Sequence, residues 1–139
     1  MNEYLGHLPV HDPLYHYLKY DIQPQITGFS DRVKYRVFRL SGSNEVYMYE
    51  EKYSGSRVIG KFFHSDRLAP ETASRRMERE FHNLEMMRGY GFSGWPHYIA
   101  RPLGCNDFLH KLLVVEYCYG ELLSDLIVRA IRNHDDGLL

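Results

Sequence analysis

Two charged side chains occur where the sequence pattern predicts apolar surroundings, and they are the first candidates for chemistry. Lys61 lies within residues 57–63 (Arg-Val-Ile-Gly-Lys-Phe-Phe), a β-branched and aromatic run that is typical of a central strand. An unpaired ammonium among hydrophobic neighbours is costly, so Lys61 there requires an anionic partner. Alternatively, Lys61 lies near a strand end and extends its ammonium to water. The strand alone leaves both interpretations open.

Glu80 is the matching charge. After residue 69 the hydrophobic period changes to that of a helix, which is predicted to run from Pro70 to about residue 88. Glu80 falls within roughly 50° of the middle of the apolar stripe of this helix, whereas Glu78 and Glu85 lie well off it. We therefore predict that Lys61 and Glu80 form an ion pair across a sheet–helix interface. The apolar stripe consists of Ala73, Met77, Phe81, Leu84 and Met87.

The elements that position these two residues are predicted from periodicity and turn signals. Strand patterns at 33–39, 45–50 and 57–63 are separated by turn clusters at 41–44 and 53–56, which favours an antiparallel meander. After the helix come a strand broken by prolines, a buried strand at 112–117 and a further helix from about 122 to 131. We predict an α+β fold with an antiparallel sheet of about five strands and one main packed helix. An N-terminal extension and a C-terminal helix complete it.

Residues 1–30 are rich in Tyr, His and Pro, and we interpret them as an N-terminal extension. Asp12 followed by Pro13 is typical of a helix start, so a short helix is predicted at 14–20. The spacing of His7, His11 and His16 raises the question of a metal site. No cysteine or carboxylate pattern supports one. We expect instead that the tyrosines of this extension pack on the domain behind it.

The composition limits the function classes. The 139 residues fit one domain, and a net charge of −1 provides no long-range field for nucleic acid or anionic membrane. We therefore expect neither as a partner, and any anion site has to be local. Two cysteines without a secretory leader favour a reducing compartment, and the longest apolar run is too short to span a bilayer. A cytoplasmic location is predicted.

Four motifs, in this order and spacing, carry a resemblance to a known fold. They are residues 40–47 (Leu-Ser-Gly-Ser-Asn-Glu-Val-Tyr), 58–61 (Val-Ile-Gly-Lys), 79–84 (Arg-Glu-Phe-His-Asn-Leu) and 113–117 (Leu-Val-Val-Glu-Tyr). Together they resemble the small, N-terminal lobe of the protein-kinase-like fold. The Gly-x-Asn-x-Val-Tyr turn is most similar to the aminoglycoside phosphotransferase and choline kinase branch. The resemblance implies a small lobe at 31–117, and an interlobe linker with the first helix of a large lobe at 118–139.

The resemblance implies ATP as the cofactor, with roles for the phosphate-binding residues. Lys61 would contact the α- and β-phosphates, and Glu80 would hold Lys61 in place; these two are the candidate catalytic residues. The backbone amides of Gly42, Ser43 and Asn44 would cover the phosphates. A turn with a single glycine makes a stiffer cover than a three-glycine loop.

The resemblance also implies how the adenine would be bound. Val46 and Ile59 would cover one face of the base, and Val115 would line the back of the pocket. The backbone carbonyl of Glu116 and the backbone amide of Cys118 would hydrogen-bond its edge. Mg²⁺ would bind only when a large lobe is present, since the metal-binding aspartate belongs to that lobe.

The 139 residues do not contain the second lobe or its catalytic aspartate. His134-Asp135-Asp136 superficially matches the start of a catalytic loop, but it follows the linker too soon and is interpreted as a solvated helix end. We expect the ATP-binding lobe of a small-molecule phosphotransferase, not catalytic alone. The resemblance implies that acceptor specificity belongs to the missing lobe.

Two alternatives stay open. One is a non-catalytic nucleotide-sensing or protein-interaction module, and the other is an α+β domain with a purely structural Lys61–Glu80 pair. In the first, an apolar face near Leu122 and Leu126 is expected to be exposed or covered by another chain, either a second copy or a large lobe.

Overall fold

The computed structural model describes residues 3–40, 45–64, 69–89 and 100–117 of the chain. These residues form an α+β fold with two α-helices and one six-stranded sheet, which confirms the predicted fold class. The elements are β1 (Glu3–His7), α1 (Pro13–Tyr17), β2 (Tyr35–Arg39), β3 (Val46–Glu51), β4 (Arg57–Phe62), α2 (Pro70–Gly89), β5 (Pro102–Asn106) and β6 (Leu112–Glu116).

The sheet is antiparallel, and its strand order is β1-β2-β3-β4-β6-β5. The first three predicted strands form the expected meander, β2 to β4. The chain then crosses through α2 to β5 at the far edge and returns as β6 beside β4. The strand that carries Lys61 is therefore central, with β3 on one side and β6 on the other.

The two faces of the sheet bury separate apolar clusters, because strand residues alternate between faces. Ile59 and Phe63 lie on the face that α2 covers, whereas Val58 lies on the opposite face. The helix-side cluster consists of Leu40, Val46, Met48, Ile59, Phe63, Ala73, Met77, Leu84, Ala100, Leu113 and Val115. The N-terminal-side cluster consists of Tyr15, Leu18, Ile22, Val33, Tyr35, Tyr49, Val58, Leu103, Leu112 and Val114.

Helix α2 follows its predicted apolar stripe. Ala73, Met77 and Leu84 are buried, and Phe81 and Met87 are half-buried. Of the three glutamates compared in the sequence analysis, Glu80 is buried, whereas Glu78 and Glu85 are exposed, as the helical period predicts.

The N-terminal segment covers the second face of the sheet. The Asp12 side chain caps α1 by accepting a hydrogen bond from the Leu14 N–H at 2.9 Å. The helix continues beyond the predicted length as a π-helical turn, Leu18–Ile22, and a 3-10 turn, Gln23–Gln25. Tyr15 is buried and its hydroxyl donates to the Val33 carbonyl at 3.0 Å, so a tyrosine of this segment packs on the sheet as expected.

Strand β1 was not predicted, and it makes the sheet one strand wider than expected. It pairs with β2 through an irregular register between Tyr4 and Gly6, and Gly6 has a φ of 104°. A bulge breaks the two-residue period on which strand prediction depends. The strand is also mostly exposed, so its sequence carries no hydrophobic alternation.

At Gly104 the N-terminal segment packs closely against β5. A Cβ at this position would meet the Tyr17 hydroxyl and would lie 3.1 Å from Ile22 Cδ1. We expect Gly104→Ala to lower the free energy of unfolding by about 1–3 kcal/mol, because the added methyl overfills this contact. Urea denaturation measures the change. Adding Tyr17→Phe should recover part of the loss; an equal loss with and without the hydroxyl would contradict this explanation.

Candidate functional site

Lys61 lies near the end of the central strand and on the helix side of the sheet. Its cross-strand neighbours are Val46 on β3 and Leu113 on β6. The side chain is half-buried, and Nζ lies 4.6 Å from the centroid of the Phe63 ring, a contact that favours a cation. Its surroundings are thus largely apolar, as the sequence predicted.

Glu80 reaches the same interface from α2. Only 2% of the residue is exposed, and it stands one turn from Met77 and one turn from Leu84, which both belong to the helix-side cluster. Lys61 and Glu80 therefore share the sheet–helix interface. The ion pair between them stays a prediction.

The three side chains assigned to the adenine are also on the helix side of the sheet. Ile59 is directly opposite Val115, and Val46 is directly opposite Lys61. The exposed fractions of Val46, Ile59 and Val115 are 6%, 1% and 1%. A base can contact these side chains only after the groups that cover them have moved aside.

Glu116 ends β6, next to the predicted linker. Its backbone N–H donates to the Arg101 carbonyl at 3.0 Å, and its side-chain Oε1 accepts from the Arg101 N–H at 2.9 Å. The same Oε1 lies 3.7 Å from Nη1 of Arg88, in the last turn of α2. Contacts to Arg101, directly before β5, and to α2 thus fix this strand end. The proposed role of the Glu116 carbonyl toward adenine stays a prediction.

Several predicted positions lie outside the described residues. They include the phosphate-covering turn, the second adenine-edge residue, the C-terminal helix and the segment compared with a catalytic loop. In chain order these residues are Gly42, Ser43, Asn44, Cys118, Leu122, Leu126, His134, Asp135 and Asp136. Their predicted roles and surroundings stay predictions.

The sequence analysis missed a buried carboxylate, Glu51, which is 2% exposed at the end of β3. It accepts hydrogen bonds from the backbone N–H groups of Lys34, Tyr53 and Ser54, at 2.9, 3.0 and 2.8 Å. The sequence signal that could have indicated this role was the turn cluster directly after Glu51, whose glycine, Gly55, has a φ of 73°. This carboxylate stabilises the β3–β4 turn.

The described residues offer few other reactive groups. Within the described ranges, no group of three His, Cys, Asp or Glu side chains is placed to hold a metal ion. Burial first, and then the charges of Glu78, Asp107 and Glu85, raise the pKa of the Cys105 thiol. A thiol with a raised pKa is a poor nucleophile, so Cys105 is a packing residue.

None of the helices in the described ranges has the length and apolar character needed to cross a membrane. Comparisons of the chain with protein-family models, with curated proteins and with solved structures found no match.

Proposed function

We propose that these residues form the ATP-binding lobe of a small-molecule phosphotransferase of the aminoglycoside phosphotransferase and choline kinase type. The observation that carries the proposal is that Lys61, on the central strand, and the buried Glu80, on α2, lie on one sheet–helix interface. In such an arrangement the carboxylate orients the ammonium, and the ammonium binds the α- and β-phosphates.

The order of the elements supports the same proposal. The motifs behind the resemblance require a meander, a lysine strand, a glutamate helix and a strand that ends at Glu116 before a linker. The described elements follow that order from β2 to β6. Val46, Ile59 and Val115 share the face of Lys61, as contact with one nucleotide requires.

The residues present fit part of an ATP molecule. A half-buried lysine suits the phosphates, and branched aliphatic side chains suit an adenine ring. ATP would supply the phosphoryl group, and this chain's own residues would bind and orient it. Mg²⁺ is proposed to bind only together with a large lobe, so phosphoryl transfer is not expected from these 139 residues.

A nucleotide titration tests the proposal. We expect the chain to bind ATP with a dissociation constant nearer mM than μM, about −4 rather than −8 kcal/mol, because one lobe covers only one side of the base. Binding should be similar with and without Mg²⁺. Lys61→Ala should abolish detectable binding by calorimetry or by nucleotide-observed NMR.

Lys19→Ala is the matched control, since Lys19 lies on the N-terminal segment, which covers the other face of the sheet. It should bind ATP like the wild type. Equal affinity in the Lys61 and Lys19 variants, or turnover on any acceptor, would show that the chemistry lies elsewhere.

The burial of the proposed adenine face favours a second candidate, a non-catalytic module that uses the lobe as a structural or protein-interaction domain. Side chains with exposed fractions of 6% or less are not open to a ligand. This candidate predicts no ATP binding at several mM by a fully folded chain. The same titration therefore separates the two functions.

A further inference from the structure

A row of one histidine and three charged side chains crosses four strands at the end of the sheet away from Lys61. His7 is directly opposite Arg36, Arg36 is opposite Glu50, and Glu50 is opposite Arg57, so all four share one face. Strands lie about 4.8 Å apart, so the row is about 14 Å long. Arg57 and Lys61 are four residues apart on β4, or about 13 Å, which makes the row distinct from the candidate nucleotide site.

Beyond the row, the next position adds two more cations. Lys34, directly before β2, faces Lys52, directly after β3. The Lys52 N–H donates to the Lys34 carbonyl at 2.7 Å. Like charges directly opposite each other are destabilising in a sheet. The pair therefore costs stability and concentrates positive charge.

The Tyr53 ring, beside this pair, is in contact with two cations. The Arg32 guanidinium lies 4.5 Å from the centroid of the Tyr53 ring, and Lys52 Nζ lies 5.7 Å from it. The three backbone hydrogen bonds to Glu51 fix the turn on which Lys52 and Tyr53 stand. The cations are thus attached to a rigid turn rather than to a free loop.

Carboxylates nearby do not cancel this charge. Glu50 accepts from Arg36 at 3.0 Å and from Arg57 at 2.8 Å, and Glu51 is buried. The local net charge is +2, against −1 for the whole chain. It counts five cations, Arg32, Lys34, Arg36, Lys52 and Arg57, and three carboxylates, Asp31, Glu50 and Glu51. The pKa of His7 is lowered, first by partial loss of hydration and then by the neighbouring positive charges.

We propose that this basic surface, formed by His7, Arg32, Lys34, Arg36, Lys52 and Arg57, binds a short acidic segment of a partner protein. Its carboxylates would pair with Arg32, Lys34 and Lys52, because Glu50 already engages Arg36 and Arg57. A nucleic acid is less suited, because the exposed ring of Tyr53 already contacts two cations and the whole chain is slightly acidic.

Fluorescence anisotropy with a fluorescein-labelled hexaglutamate peptide at low salt tests the proposal on the 139-residue chain. We expect saturable binding that weakens as salt rises. Lys34→Gln/Lys52→Gln should raise the dissociation constant at least tenfold, and the control Lys19→Gln should change it less than twofold. Lys52→Glu alone should raise the melting temperature, since it replaces a like-charge pair with an opposite-charge pair.

Three results would overturn the proposal. They are no binding of hexaglutamate up to mM concentration, the same loss of affinity in the Lys19 variant, or tighter binding of hexathymidylate than of hexaglutamate. The last result would assign the surface to nucleic acid instead.

Discussion

Glu80→Gln is expected to lower the free energy of unfolding by about 3 kcal/mol, and Lys61→Met should lower it by a similar or smaller amount. Glu80 is 2% exposed within the helix-side cluster, so its carboxylate requires a compensating charge in the folded chain. If the two residues pair, removing one leaves the charge of the other without compensation. Lys61 is half-buried and retains some access to water, which limits the cost on its side.

Urea denaturation of the two single variants and of Lys61→Met/Glu80→Gln measures the pairing. If the residues pair, the double variant should lose less stability than the two single losses added together, because neither charge then remains buried alone. Glu78→Gln and Glu85→Gln are matched controls on the exposed side of the same helix, and each should change stability by less than about 0.5 kcal/mol. Strictly additive losses at positions 61 and 80 would refute the pair.

The central strand and α2 could be predicted because local periodicity determines which of their residues are buried. A period of two put Ile59, Lys61 and Phe63 on one face, and a period of 3.6 put Glu80 into the apolar stripe of α2. The N-terminal helix start was equally local, since Asp12 and Pro13 carry their own capping chemistry.

Features that depend on distant parts of the chain were not predicted. Strand β1 exists because it pairs with β2 about thirty residues later, and its bulge removes the two-residue signal. The near-complete burial of Val46, Ile59 and Val115 depends on what packs over the sheet, which alternation within a strand cannot reveal. For the same reason the basic surface was not foreseen: its residues come from three strands and from the segments next to β2 and β3, and only the register aligns them.

Glu51 is the clearest case of a residue whose sequence context conceals its role. It stands between Glu50 and Lys52, a run that is typical of a solvated strand end. The turn brings the backbone N–H groups of Tyr53 and Ser54 to its carboxylate, and Lys34, directly before β2, donates a third. Burial alone would raise the pKa of Glu51, but these hydrogen bonds outweigh burial, and the pKa is lowered from its ordinary value of 4.5.

Glu51→Ala should therefore lower the free energy of unfolding at pH 7 by about 3 kcal/mol or more. It leaves three donors without their acceptor, and a hydrogen bond to a charged group makes a net contribution of about 1.5–3 kcal/mol. Glu51→Gln should cost less, because its amide oxygen still accepts, and Glu50→Gln, at a more exposed carboxylate, should cost less than Glu51→Ala.

The pH dependence of stability separates the charge of Glu51 from its shape. Because its pKa is lower in the folded chain, its charge contributes stability in full above the unfolded pKa of about 4.5, and that contribution is lost as pH falls through the lower folded pKa. Unfolding free energies from pH 7 to pH 2 should accordingly fall less for Glu51→Gln than for the wild type. Parallel curves for the two proteins would mean that the carboxylate is not held ionised by the turn.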